Sequence, residues 1–336
     1  MMLENETMPC ALEVLNASGT HHAAGAFARD VFKGLSRSPK SLPSMYFYDA
    51  EGSRLFKRII ELEEYYLTRC EAEIIETHAA EIVAAVLPGP FRLVELGAGD
   101  GRKTEILLRR LLDAGLCFEY VPIDICRQSV LDLAASFQSR FDGSLRMRGI
   151  VAEYFDGLAS LRWAGRQPDL VFFLGSSVGN FSHAEARQFF RRLRESLRPG
   201  DFVLVGFDLK KDLEILRRAY NDAAGVTRLF NLNLLARINR ELGGEFDRRR
   251  FAHYGPYNLR EECMESWLVS LENQEVPIHA LGRSFSFQAW EGIHVECSHK
   301  YDLSQIESFA SAAGFRVQKH FFDRRRWFAD SLWKSV

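Results

Sequence analysis

The chain has no C-x-x-C pair, no internal repeat, no low-complexity linker, no long hydrophobic run and almost no net charge. Each absence narrows the field. Its six cysteines, Cys10, Cys70, Cys117, Cys126, Cys263 and Cys297, are scattered through 336 residues, a usage that suits a reducing compartment better than a disulfide framework. A formal net charge of -2 argues against bulk nucleic acid or an anionic membrane as partner. The short basic runs at 248–250 and 324–326 read as solvated faces or ion-pair partners. No stretch approaches the roughly 18 unbroken apolar residues of a membrane span. The opening segment MMLENETMPCALEVLN is acidic and the first basic residue is Arg29, so no secretory leader is expected. The expectation is a soluble, cytoplasmic protein whose first residues, roughly 20 of them, are loosely ordered.

What is present is core-forming material: 47% hydrophobic and 12% aromatic residues, in a length that suits about two domains. Helical spacing marks GAFARDVFKGL, GSRLFKRIIEL and RCEAEIIETHAAEIVAAV. From Phe91 the texture changes. FRLVELG, FEYVPIDI, LRMRGIVAEYF, DLVFFLGSS and DFVLVGFDL read as strands, with KTEILLRRLLDAG, RQSVLDLAASFQSRF and HAEARQFFRRLRESL as helices among them. Near-continuous apolar strands joined by amphipathic helices predict a parallel sheet covered on both faces. After Asp208 the alternation breaks into a mostly helical stretch, LEILRRAYNDAAGVTRLFNLNLLARINREL. Antiparallel strands are then expected at ECMESWLVSLEN, SFSFQAW and GIHVECSHKY. A closing helix, LSQIESFASAAG, and strands FRVQKHFFD and FADSLWKSV return to the first sheet. The fold class expected is α/β: a doubly wound, mostly parallel sheet interrupted by a mixed α+β unit that the N-terminal helices join. The expected bounds are 70–210 with 301–336 for the first unit and 20–69 with 211–300 for the second.

The first strand of that sheet runs into LVELGAGDGRKTE, where Gly97, Gly99 and Gly101 follow Glu95 at alternate positions. In open parallel sheets ligands bind beyond the carboxyl ends of the strands. A dinucleotide-binding G-x-G-x-x-G fails here at Arg102, and no G-K-[ST] closes a phosphate loop. What stands, E-x-G-x-G-x-G, resembles the first motif of S-adenosylmethionine-dependent methyltransferases with a Rossmann-like fold. That likeness implies glycines that admit the cofactor's amino-acid and ribose parts, with Glu95 near its ammonium. Asp124, ending the next strand, can accept both ribose hydroxyls. Glu153 can take the adenine amino group and Tyr154 can lie against the ring. In FFLGSSVGNF, Gly175 and Gly179 keep the floor of the site low and Asn180 can point into it. A tight turn or a solvated strand end would explain any one of these alone; four strand ends with four ligand contacts favour a site.

From about Ser41 to the C-terminus the chain resembles the histidine Nα-methyltransferases of ergothioneine biosynthesis. The segments that carry the resemblance are MYFYDAEGSRLF, EEYYLTRCEAEI, LVELGAGDGRKT, FFLGSSVGNF, RAYNDAAGVTRLFN and VECSHKY. It implies a class I methyltransferase domain with a substrate-binding domain, S-adenosyl-L-methionine as cofactor, and the α-amino group of an amino acid, histidine, as acceptor. It implies that Tyr65, Asn180 and Tyr220 grip the α-amino and carboxylate groups, with Thr227 nearby and Gly175 lining the pocket. Glu296 and Ser298 would hold the imidazole. Tyr48, Gly97, Lys103, Asp124, Glu153 and Tyr154 would serve the cofactor, alongside Glu95 and Gly99. Tyr48, Asn180 and Tyr220 are expected at the reacting amine.

The residues make independent sense of this assignment. A strand period of two puts Glu296 and Ser298 on one face of GIHVECSHKY, and a carboxylate and a hydroxyl can meet both nitrogens of an imidazole. Tyr48, Tyr65 and Tyr220 would form an aromatic wall for a growing cation. No metal-ligand cluster stands out among the nine histidines, and an activated sulfonium needs no metal. Three departures from the family pattern stand out. Ser266 replaces a methionine, which predicts a wider or wetter side-chain pocket and leaves another amino acid or amine open. Glu63 replaces a proline, and Glu153 an aspartate. Amine-modifying nucleic-acid methyltransferases carry N-P-P-[YF] where this chain reads Gly175-Ser176-Ser177-Val178, so the partner expected is a free amino acid. A silent cofactor-binding module is disfavoured by the intact Glu95 and Asp124. A monomer is expected.

Overall fold

A computed structural model describes residues 11–15, 19–84, 89–161 and 167–336. The chain opens with β1 (Ala11–Val14), α1 (Gly19–Leu35), the two-residue β2 (Lys40–Ser41), α2 (Ala50–Ile59) and α3 (Leu67–Ala84). Alternation follows: β3 (Phe91–Leu96), α4 (Arg102–Asp113), β4 (Phe118–Asp124), α5 (Arg127–Phe141), β5 (Arg148–Val151), α6 (Tyr154–Leu161), β6 (Asp169–Phe173), α7 (His183–Ser196) and β7 (Phe202–Asp208). Then come α8 (Leu213–Tyr220), α9 (Val226–Leu242), β8 (Phe251–Tyr254), β9 (Tyr257–Asn258), β10 (Cys263–Ser270), β11 (Gln274–Ile278), β12 (Arg283–Phe287) and β13 (Gly292–His299). The chain closes with α10 (Leu303–Ala313), β14 (Phe315–Phe322) and β15 (Phe328–Ser335).

The large sheet has the order β1-β5-β4-β3-β6-β7-β15-β14. Its first six strands are parallel, and β15 returns antiparallel to both β7 and β14. Every residue of β3 and β7 is buried, as expected of strands with helices on both faces. One apolar core joins α3, α4, α5 and α8 to one face; another joins α7 and α10 to the other. Helix starts follow side-chain chemistry: α7 and α10 both begin with capping boxes, Ser182 with Glu185 and Asp302 with Gln305, which satisfy backbone donors at each start. The strand order reverses beside β3, whose neighbours are β4 and β6, so the glycine loop after β3 opens at the switch point where such sheets bind ligands.

A third core joins α1, α2 and α9 to the smaller sheet, β2-β13-β10-β8 with β9 on β10. In that sheet β10 and β13 run antiparallel, with Ser266 opposite Glu296 and Met264 opposite Ser298. Meanwhile α8 and Met264 pack into the large sheet's core, so the smaller unit is seated directly on the larger one.

Four expectations need correction. Ala11–Val14 is not loose: it adds a parallel edge strand to β5, while residues 1–10 and 16–18 lie outside the described residues. The stretch LRMRGIVAEYF is strand only over Arg148–Val151, and Tyr154 already opens α6. SFSFQAW pairs with β11 in a separate two-stranded ribbon, because the intervening turn closes locally. The cysteines are not all unbridged. Cys263 and Cys297, 34 residues apart in sequence, are joined as a disulfide between β10 and β13; sequence spacing cannot reveal strands that meet only in the folded chain.

Candidate active site

The glycine-loop side of the candidate site is built by backbone shape. Gly97 and Gly101 have φ of 74° and 68°, a region that side chains with a Cβ avoid. A Cβ on Gly101 would come within 2.6 Å of Phe137, and one on Gly97 within 2.8 Å of the Tyr154 hydroxyl. The loop is therefore pressed onto α5 on one side and covered by Tyr154 on the other, while a Cβ on Gly99 would meet open space. Asp124 ends β4 with one oxygen accepting the Cys126 N–H at 2.8 Å. Burial raises its pKa, against backbone donors that lower it. Glu153 is exposed. Gly97, Gly99, Asp124 and Tyr154 all lie at or just beyond the carboxyl ends of neighbouring parallel strands β3, β4 and β5.

Glu95 is not free to reach out. It is 3% exposed, accepting from Thr104 at 2.6 Å and Tyr120 at 2.5 Å. Burial pushes its pKa up to about 7 despite both hydroxyl donors and nearby Lys103. Its contacts tie β3 to α4 and β4, so the leading carboxylate of the motif anchors the glycine turn. Lys103, from the first turn of α4, pairs with the buried Glu71 of α3. That partner outweighs the burial that would lower the lysine's pKa, leaving it raised. Glu71 also accepts the Gly175 N–H at 2.7 Å, and a Cβ on Gly175 would lie 3.5 Å from the Lys103 ammonium. One carboxylate thus joins α3, α4 and the loop after β6.

The facing side of the candidate site is built by side chains converging from distant segments. The phenols of Tyr48, Tyr65 and Tyr220 have raised pKa values, first because of burial. After burial, Tyr220 acts on Tyr48 and Tyr65, Asp208 acts on Tyr220, and Glu296 contributes at all three. Tyr154, which lies against Gly97, also acts on Tyr48. Tyr48 nevertheless retains 42% exposure. Its ring meets Phe56 and Phe230 edge-on at 5.5 and 5.7 Å, and Phe56 meets Tyr65 at 6.2 Å.

Behind Tyr220 lies a charged cluster. Lys300, fully buried, donates to Tyr220 at 2.9 Å and to Ser298 at 2.8 Å, and stands 2.9 Å from Asp208. Tyr220 and Ser298 are hydrogen-bonded at 2.7 Å. Asp208 also accepts from Tyr66 and pairs with Lys211. Burial would raise its pKa, but the two lysines hold it below the ordinary carboxylate value. Across the ladder Ser266 donates to Glu296 at 3.3 Å. Burial raises the Glu296 pKa, opposed by Lys300 and Ser266.

A profile of the family described as "Histidine-specific methyltransferase, SAM-dependent" matches residues 27–335. The chain belongs to this family. It is 40% identical over 311 residues to the histidine N-alpha-methyltransferase of Mycolicibacterium smegmatis, covering 93% of this chain and 95% of that one. To the histidine N-alpha-methyltransferase of Mycobacterium tuberculosis it is 38% identical over 319 residues, covering 95% and 96%. To the ergothioneine biosynthesis protein 1 of Neurospora crassa it is 35% identical over 279 residues, covering 82% of this chain and 31% of that one.

For this SAM-dependent methyltransferase, the structure brings Tyr48, Tyr65, Tyr220, Glu296, Ser298 and Ser266 together, with Gly175 beside Lys103. Asn180 is exposed at the end of the 3-10 turn Ser177–Asn180. That turn packs on β13, where a Cβ on Gly179 would lie 3.2 Å from the His299 carbonyl oxygen. Thr227 sits in the first turn of α9, its N–H held by Asp222 at 2.8 Å; among the described residues no hydrogen bond or ring contact joins it to Tyr220 or Glu296. The sequence reading missed Asp208, Lys211, Lys300, Phe56 and Phe230. Asp208 was legible in principle as an acid closing an apolar strand, and Lys300 as a charge two residues beyond Ser298. Ser266 is 1% exposed and bonded to Glu296.

Proposed function

We propose that the enzyme transfers the methyl group of S-adenosyl-L-methionine to the α-amino nitrogen of L-histidine, repeatedly, to give Nα,Nα,Nα-trimethylhistidine. The observation that carries this is the shared face of β13 and β10, with Glu296 held by Ser266 and Ser298 held by Tyr220 and Lys300. Imidazole presents one N–H and one bare nitrogen. Glu296 accepts the first and Ser298 donates to the second. An aliphatic or phenyl side chain would leave the half-buried Glu296 carboxylate without a ligand donor, at a cost of about 1–3 kcal/mol.

When bound, the cofactor supplies an already activated methyl. The residues that suit it are Gly97, Gly99, Asp124, Glu153 and Tyr154, with Lys103 and the anchored Glu95 shaping the floor. The protein's own contribution is positioning. Tyr65, Asn180 and Tyr220 hold the amino and carboxylate ends of the amino acid, Gly175 lets them approach, and Thr227 supports the wall behind. The reacting amine must be neutral. Tyr48, Tyr65 and Tyr220 stay protonated because their pKa values are raised, so they orient the amine by hydrogen bonds, and water entering past Tyr48 removes its proton. As methyl groups accumulate, these rings stabilise the fixed positive charge by about 0.5–2 kcal/mol each.

In this reading residues 70–210 with 301–336 hold the cofactor, and 20–69 with 211–300 hold the amino acid. The enzyme works as a cytoplasmic monomer on a free amino acid, not on nucleic acid. No helix among the described residues is long and apolar enough to cross a membrane. Incubation with S-adenosylmethionine and a mixture of the common amino acids, read by mass, tests the assignment. Histidine should gain one, two and then three methyl groups. Preferential methylation of any other amino acid would overturn it.

A further inference from the structure

We propose that Cys263, Cys297 and His299 form a redox-controlled site for a thiophilic divalent cation of the zinc class, closed as a disulfide when oxidised and open to the metal when reduced. The ligand atoms of the three residues lie within 4.8 Å of one another, the one such group of three or more among the described residues. Spacing along the sequence hides it, because Cys263 comes from β10 and the other two from β13. Cys263 stands opposite His299 across the ladder, and Cys297, two residues before His299, shares its face.

The geometry suits a metal beyond mere proximity. The Cys297 sulfur is 3.9 Å from Nε2 of His299, close to the roughly 3.5 Å edge of a tetrahedron with metal–sulfur bonds of about 2.3 Å and metal–nitrogen bonds of about 2.0 Å. The other ring nitrogen, Nδ1, lies 3.0 Å from the carbonyl oxygen of Gly179. A carbonyl only accepts, so Nδ1 carries the proton and Nε2 presents a bare lone pair toward the sulfurs. This is the outer hydrogen bond that orients metal-bound histidines. Cys263 and His299 are buried, while Cys297 is half-buried and gives reductant and cation a way in. Two thiolates and one imidazole leave a fourth position for water.

The site stands back to back with the pocket. Glu296 and Ser298 alternate with Cys297 and His299 along β13, so either closed form ties β10 to β13 directly behind the imidazole-facing side chains. Opening needs an external dithiol: its two sulfurs pass two electrons to the Cys263–Cys297 bond and become a disulfide, leaving two thiols on the protein. Metal binding then releases those two thiol protons to solvent.

The test uses the full chain, reduced with dithiothreitol, freed of it without oxygen and titrated with Co2+ as a spectroscopic stand-in for Zn2+. Reduced protein should take up about one equivalent with a thiolate-to-cobalt charge-transfer band, and Zn2+ should displace it. Oxidised protein should show no band, Cys297→Ser should abolish it, and His299→Gln should weaken binding by about tenfold or more. The doubly substituted Cys117→Ser, Cys126→Ser chain should bind as the wild type does. No band in the reduced chain, or a band that survives Cys297→Ser, overturns the proposal. Should a variant fail to fold, alkylation of the reduced wild type decides instead. Zn2+ should protect Cys263 and Cys297 but not Cys117, and uniform reactivity would count against the site.

Discussion

The ammonium of Lys300 donates to the phenol oxygen of Tyr220 across 2.9 Å while also reaching Ser298 at 2.8 Å. An ammonium has no lone pair to offer, so both hydroxyl oxygens must accept from it. Tyr220 and Ser298 are themselves 2.7 Å apart, so one donates to the other and a single proton is left over. Lys300 therefore fixes this pair as a net donor toward whatever enters the pocket. It complements Glu296, which can only accept while ionised.

Replacing Lys300 by methionine should remove that order. Asp208 keeps Lys211 and Tyr66 as partners, so the protein should fold with a stability loss of about 3 kcal/mol, the scale of a broken buried pair. Histidine affinity should fall by more than about tenfold, since a misdirected hydroxyl leaves the ligand's bare nitrogen unpaired. Cofactor affinity should stay within about twofold. Calorimetry with each ligand separates the two, and equal losses would assign Lys300 to general stability.

Asp124→Ala should weaken S-adenosylmethionine binding by about 1–3 kcal/mol, the scale for losing charge-assisted hydrogen bonds. The side chain ends β4 and holds only the next turn, so folding should survive. Unchanged cofactor affinity in the folded variant would place the ribose elsewhere.

The Ser266–Glu296 pair bears on selectivity. Ser266→Ala removes one of the two influences that oppose burial at Glu296, so the carboxyl pKa should rise further. Histidine binding should then fail at a higher pH as the solution is acidified, because a protonated Glu296 no longer accepts the imidazole N–H. Glu296→Ala should abolish most of the preference for histidine over phenylalanine. Binding titrations across pH for wild type and Ser266→Ala give the comparison, and coincident profiles would break the link between the two residues.

Glu95 predicts a pH dependence of stability. Burial raises its folded pKa from an ordinary 4.5 to about 7, so the folded state binds this proton more tightly than the unfolded chain does. Its contribution is complete below pH 4.5 and is lost as pH rises through about 7, amounting to about 3 kcal/mol at roughly 1.4 kcal/mol per pKa unit. Glu95→Gln, which cannot titrate, should lose less stability than wild type between mildly acidic and mildly alkaline buffer. Urea unfolding at the two ends of that range measures it; parallel losses would mean that Glu95 stays ionised throughout.

Much of this protein was determined by local sequence. Strands such as FRLVELG and DFVLVGFDL are apolar at nearly every position, and that alone commits them to the middle of a covered sheet. The glycines at 97, 99 and 101 mark the loop after β3 because only a bare backbone adopts that turn beneath Tyr154 and against Phe137. The alternation of Glu296 and Ser298 follows from strand geometry alone. Only the tertiary structure decided which side chains share protons and charge. Lys300 meets Tyr220 from 80 positions away in the chain, Ser266 meets Glu296 from 30, and Cys263 meets Cys297 from 34. Such pairings depend on strand register and helix docking. Those are set by the sum of many buried contacts, so no short window of sequence contains them.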